Sequence, residues 1–318
     1  MTATVRTPHP HAEGFDAIEL TSVDEVFREL DFSNNKWLGA RYGDFGFRGQ
    51  KDSKWNLLPS AFRGSLSEFY QGTSVVTGNP ANVEKQIRNE INSVANFVLA
   101  ADQAGLLLPN FERIIQIHEL ANSNSRATLG HIWPQVEHMA ALALAQHHGI
   151  HTRLLDFTFN PKSALYFATS EVINARSVDE YLAVWAADLR FIRTIGAASR
   201  ARPERMQIVQ VPTGENEFLR AQQAFFLTDL GANDVWDLGG APPLNAVIKE
   251  RFRAHSRKNY FKRHGSIMKP PVVQYVMKTS LAVEIMKRLD REGITLLRLK
   301  PSLREVFGSL KQAINLTK

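Results

Sequence analysis

The chain has 318 residues, of which 44% are hydrophobic and 22% charged, a composition that excludes a disordered or fibrous protein. It contains no cysteine, which removes disulfide frameworks, thiolate nucleophiles, iron–sulfur clusters and cysteine-ligated zinc and leaves His, carboxylate, hydroxyl, amide and Arg groups for any chemistry. The formal net charge of +6 is local, because residues 249–263 hold seven cations against one anion and the rest of the chain is neutral overall.

Residues 1–17, broken by Pro8, Pro10 and Gly14, read as a flexible leader without a secretory signal, followed by one domain over 18–318. The longest apolar run, Met139 to Ala145, is too short to span a bilayer, so the expectation is a cytoplasmic protein with no membrane partner. Thr21-Ser22 before Val23, Val26, Phe27 and Leu30 predicts a short capped helix with Asp24 and Glu25 in its first turn. Asp44 to Gln50 alternates as a strand does, placing Phe45 and Phe47 on one face and Arg48 and Gln50 on the other. Gly64 to Pro80 reads as a surface loop. The apolar stripe Ile87, Ile91, Val94, Val98 and Leu99 predicts a helix over about 83–104, with Asn82 as its cap.

Asn122 to Thr128 reads as a further loop. Pro134 then opens a helix carrying Val136, Met139, Ala140, Ala143 and Leu144 on one face, and Gly149 ends it. Asn160-Pro161 starts another helix through Leu165, Phe167 and Ala168. Strands are expected at Tyr181 to Trp185, Ile208 to Val211, Gln223 to Leu227, Val272 to Met277 and Ile294 to Leu299, with a helix at Ser280 to Glu292, a loop or insert at Gly231 to Pro243 and a last helix from Pro301. Short strands mixed with helices, without regular strand–helix alternation, predict an α+β domain with helices packed on a mainly antiparallel sheet.

No nucleophile elbow, Walker loop, zinc-protease motif or dinucleotide fingerprint is present. The densest polar stretch is Gln146 to Pro161. Its histidines His147, His148 and His151 straddle Gly149, which breaks the helical spacing a metal pair needs, so no metal is expected. Arg153 and Asp156 are spaced for an internal ion pair or for a ligand role, and Thr158, just before a helix start, either supports the cap or meets an anion. Arg48 lies between Gly46 and Gly49, where a ligand can approach closely; a surface ion pair explains it equally. Arg251, Arg253, Arg257, Lys258, Lys262 and Arg263, interleaved with Phe252, Tyr260 and Phe261, suit either phosphate contacts on nucleic acid or a plain solvated helix.

Phe47-Arg48-Gly49-Gln50, Trp55 to Ser60 with Arg63, and Gln146-His147-His148-Gly149 through Asp156 and Asn160-Pro161 to Ala168 together resemble the FRG domain, firmly over residues 41–170. A weaker likeness is to the ADP-ribosyltransferase pattern of an early Arg, a Ser or Thr and a late Glu. That likeness implies an ADP-ribosyltransferase-like fold, NAD or a related nucleotide as ligand, and a toxin or phage-defence effector. By that likeness Arg48 takes the pyrophosphate with Gln50 beside it, His148 and Arg153 sit at the mouth, Asp156 fixes Arg153, and Thr158 meets the ribose. The third position falls on Gln222 or Gln223, with Glu217 the nearest carboxylate, unless Asp156 supplies the charge. The alternative is a non-catalytic module that binds nucleic acid or a protein partner through segment 249–263.

Overall fold

The computed structural model describes residues 16–34, 37, 41–63, 83–106, 111–122, 132–175, 177–197, 206–210, 223–235, 241–256, 270–302 and 305–310. The first strand, β1 (Asp16–Leu20), begins inside the stretch read as leader. It leads into α1 (Val23–Glu29), where the Ser22 hydroxyl accepts from the Glu25 amide as the N-cap. β2 (Phe45–Gln50) is the predicted alternating strand. The amphipathic α2 (Val83–Gln103) buries Ile87, Ile91, Val94 and Val98, as its stripe requires, and packs against α3 (Phe111–Asn122).

After a single 3-10 turn, Val136–His138, α4 (Met139–His147) buries Met139, Ala141, Leu142, Ala143 and Ala145. Val136, expected on its apolar face, is exposed because it belongs to that turn, where the helical period does not hold. Gly149 sits at φ +93°, a conformation glycine adopts without penalty, just past the helix end, as predicted. β3 (Leu155–Thr158) follows, and then α5 (Pro161–Asn174), opened by the Asn160 side chain accepting from the Lys162 amide and by proline at the first helical position.

β4 (Tyr181–Asp188) is buried along nearly its whole length, and its last residue caps α6 (Leu189–Ala197): Asp188 Oδ1 accepts from the Arg190 amide at 3.0 Å. β5 (Met206–Val209), β6 (Ala224–Asp229), α7 (Leu244–Ser256), β7 (Val272–Lys278), α8 (Ala282–Arg291) and the single turn α9 (Leu296–Leu299) complete these elements, and residues 305–310 are helical. The strand expected over Ile294 to Leu299 is therefore a correction. The Thr295 hydroxyl accepts from the Arg298 amide and so caps a helical turn in place of a strand. The loops read at Gly64 to Pro80 and just past Asn122 lie outside the described residues.

The strands form one seven-stranded sheet in the order β1-β7-β4-β2-β3-β6-β5. β1 pairs parallel with β7, and the other described pairs are antiparallel, so the mixed architecture with a mainly antiparallel sheet is as expected. One face is covered by α1, α5 and α8, through Phe27, Phe47, Leu165 and Ile285. The opposite face is covered by α6 and α7, around Trp185, Phe191 and Phe225, and a third cluster holds α2, α3 and α4 against Phe226.

Two features of β2 shape the molecule. Its pairing with β4 runs over six residues, from Phe45 opposite Asp188 to Gln50 opposite Ala183, whereas β3 meets it only where Phe47 pairs with Thr158. The sheet therefore splits between β2 and β3. The second feature is the approach of α5: a Cβ added at Gly49 would lie 2.0 Å from the Ala164 carbonyl oxygen and 2.8 Å from the Ala168 amide nitrogen. Only glycine lets the helix axis come this close to the strand. A Gly49→Ala variant is expected to lose about 3 kcal/mol or more, read as an earlier urea midpoint, because rigid backbone on both sides must separate to admit the methyl.

Candidate functional site

The split in the sheet opens a crevice of about 830 Å3, walled by β2, β3, the end of α4 with its turn, α5 and the chain after α9. Arg48 stands on the β2 wall and Thr158 on the β3 wall, so the two groups assigned from the motifs face one cavity. Arg48 is largely buried, with 15% of its side chain exposed; its Nη1 donates to the Asp156 carbonyl at 2.8 Å and lies 3.4 Å from the Asp156 carboxylate. Its Nε is buried and without a hydrogen-bond partner among the described residues, which leaves a donor of the fork unspent.

The carboxylate is held in turn. Gln146 Nε2 donates to Asp156 Oδ1 at 2.7 Å, and Thr152 Oγ1 donates to Gln146 Oε1. Thr152 Oγ1 also accepts from the Leu154 amide, and its carbonyl accepts from the Ala61 amide and the Ser60 hydroxyl. The motif residues thus form a relay from the loop after β2, through the α4 turn, to the guanidinium. At the mouth His148 stacks on Phe97 with ring centres 5.8 Å apart, and His147 meets His148 edge-on at 5.2 Å. Burial, reinforced by His148 and Lys300, holds the His147 imidazole below its usual range and so favours its neutral form. Thr158 is 5% exposed, and its hydroxyl accepts from the Asn160 amide at 3.0 Å, ordering the start of α5.

A further carboxylate of the crevice comes from α5. Glu171 lines the same crevice with Ala164 and Phe167, the three residues recurring at helical spacing on one face of the helix. Glu171 remains exposed to solvent, yet partial desolvation against the crevice wall raises its carboxyl above the ordinary glutamate range, although Arg48, Lys51, Arg63 and Lys300 pull the other way. Opposite stand Phe226 of β6 and Lys300 and Glu305 of the C-terminal segment. The helical period after Asn160-Pro161 carries the signal for Glu171. What hides it is that an exposed carboxylate on a helix carries no mark of a cavity until the sheet beside it is known to split.

Three assignments are corrected. Arg153 is not at the mouth: it is fully buried, its Nε donates to Glu90 Oε2 at 2.7 Å and its Nη1 donates to Asn233 Oδ1, while its guanidinium stacks on Phe62. Asp156 therefore fixes Arg48 rather than Arg153, since Glu90 of α2 reaches the buried arginine first. Gln50 is 2% exposed, accepts from Trp185 Nε1 at 2.8 Å and donates to the Asn56 carbonyl, so it knits the core and offers no ligand contact. Gln222 and Glu217 lie outside the described residues; Gln223 is exposed at the start of β6, and its carbonyl accepts from the Phe159 amide. Arg251 and Arg253 are exposed on α7, while Arg257, Lys258, Lys262 and Arg263 lie outside the described residues. Among the described residues no group of three or more His, Asp or Glu side chains is placed to hold a metal, and no helix is long and apolar enough to cross a membrane.

Residues 43–177 match the family model of the FRG domain, so the chain carries an FRG domain running from the turn before β2 to just past the end of α5. The relay and Glu171 come from within it, and the crevice is completed from outside it by Ala224 and Phe226 of β6 and by Lys300, Ser302 and Glu305. No curated protein and no solved structure matches the chain.

Two measurements follow. Glu90 also accepts from Trp133 Nε1 and Gln86 Nε2, so Glu90→Ala leaves a buried guanidinium unpaired and is expected to cost about 3–5 kcal/mol in chemical denaturation; Glu90→Leu with Arg153→Met costs far less. For Glu171, a carboxyl whose folded pKa is raised binds its proton more tightly in the folded state. Its contribution is full at low pH and lost as pH rises through the folded value. Glu171→Gln is therefore expected to melt above the wild type at about pH 8 and alongside it at about pH 4, followed by circular dichroism.

Proposed function

We propose that the crevice of the FRG domain binds a nucleotide and that the protein acts on NAD in the manner of an ADP-ribosyltransferase. The observation that carries this reading is that Arg48, Thr158 and Glu171, delivered by β2, β3 and α5, line one cavity. The combination reproduces the Arg, hydroxyl and carboxylate set of that enzyme class, with Glu171 in the place that the linear motif left to a glutamine.

In this reading the Arg48 fork, fixed by Asp156 and with Nε unspent, takes the pyrophosphate. Phe167 of α5 borders the base or the nicotinamide, and Thr158 borders the ribose. Glu171 accepts from the ribose hydroxyl and opposes the positive charge that develops at the anomeric carbon. The bond from that carbon to the nicotinamide nitrogen breaks, and its electron pair leaves with nicotinamide. A hydroxyl of water or of an acceptor attacks the same carbon, and its proton passes to Glu171, whose raised pKa suits a base.

Nicotinamide release from NAD, followed chromatographically, tests the assignment. Wild-type protein should release it with a rate that climbs as pH rises through the Glu171 pKa, and Glu171→Gln and Arg48→Ala should each lower the rate about 100-fold or more while keeping the wild-type circular dichroism. Wild-type protein that neither releases nicotinamide nor binds ADP-ribose would sink the reading.

A further inference from the structure

Behind the Arg48–Asp156 contact lies a second, smaller cavity of about 170 Å3. It shares Arg48 and Asp156 with the crevice and adds Ser60, Arg63 and His151, none of which the reaction above uses. Arg63 is half-buried. Its Nε donates to the Leu58 carbonyl at 2.9 Å, which fixes the plane of the guanidinium, and neither Nη has a hydrogen-bond partner or ion pair among the described residues. Two guanidinium groups thus wall one small space. The carboxylate that faces it, Asp156, is already committed to Gln146 at 2.7 Å and to Arg48.

The electrostatics point the same way. Burial and the nearby Arg48 push the Arg63 guanidinium below the usual arginine range, with Asp156 and Glu171 opposing, and burial together with Arg63 pushes His151 down as well. Positive groups that disfavour one another in a partly buried space are stabilised by an anion whose oxygens span them. Ser60 borders this space without donating into it, because its hydroxyl already donates to the Thr152 carbonyl.

We propose that this cavity is an oxyanion subsite in which the free Nη edge of Arg63, with Arg48, grips a phosphomonoester carried by the nucleotide in addition to its pyrophosphate. The inference deepens the nucleotide reading and rests on it for the claim that one ligand spans both cavities. A planar fork suits the paired oxygens of a phosphoryl group, and the smaller cavity admits such a group but not a nucleobase with its sugar.

Calorimetric titration of the full chain with ADP-ribose, 2′-phospho-ADP-ribose and inorganic phosphate tests it. The added phosphate is expected to tighten binding about tenfold or more in the wild type. In Arg63→Gln the two nucleotides should bind alike, with ADP-ribose affinity unchanged. Equal affinities in the wild type, or an advantage that persists in Arg63→Gln, overturn the subsite. Should that variant melt early, Arg63→Lys decides: it keeps the charge and loses the fork, so an undiminished phosphate advantage overturns the proposal. Arg63-dependent binding of inorganic phosphate without binding of either nucleotide keeps the subsite and removes the nucleotide reading. Equal binding of both nucleotides does the reverse, and no binding of any of the three removes both.

Discussion

The contact between the Arg48 guanidinium and the Asp156 backbone and carboxylate stands where the sheet stops being a sheet. β2 and β3 touch through one residue pair and then separate, and beyond that point a side chain supplies the donor that a neighbouring strand would have supplied. Because the arginine is mostly buried and the strands have parted, the gap is neither filled by hydrocarbon nor closed by a ladder. A cavity lined by both apolar and charged side chains is what remains. The same contact orients the guanidinium, so one interaction both props the crevice open and arms it.

Holding that gap requires rigid supports on each side. On one side α5 lies against β2 at a distance that only Gly49 permits, which brings Ala164, Phe167 and Glu171 over the opening. On the other, the fully buried Arg153–Glu90 pair ties the segment leading into β3 to α2, with Trp133, Gln86 and Asn233 saturating most of its hydrogen bonds. Such a pair adds little net stability compared with a hydrocarbon isostere, yet it tolerates only one arrangement of its partners. It therefore serves register more than strength: it sets where β3 begins and hence where Asp156 and Thr158 arrive. Two arginines of the family segment thus divide the work, Arg153 inside the frame and Arg48 at its opening.

The electrostatic character of the crevice is mixed. Arg48, Arg63 and Lys300 gather around Asp156, Glu171 and Glu305, and the carboxylate on α5 is raised by partial desolvation despite those cations. A structural ion network relaxes toward paired charges. Here, among the described residues, Arg63 and the Nε of Arg48 keep unspent donors, an arrangement that suits a ligand carrying anionic oxygens.

The local code of this chain wrote most of its elements: the Ser22 and Asn160 caps, the stripe of α2, the stop at Gly149 and the alternation of β2 follow from side-chain chemistry acting within a few residues. Motif spacing likewise marked Arg48, Asp156 and Thr158. Which of two arginines would be buried, and whether Gln50 would face a ligand or Trp185, rested on partners far along the chain, so neither was readable from spacing. Glu171 was visible as a helical residue but meets the crevice only because the sheet splits beside its helix. Local propensities are short-range and survive in the linear sequence. The pairing of one charge with another across distant elements is settled by which groups are desolvated together, and only the folded chain decides that.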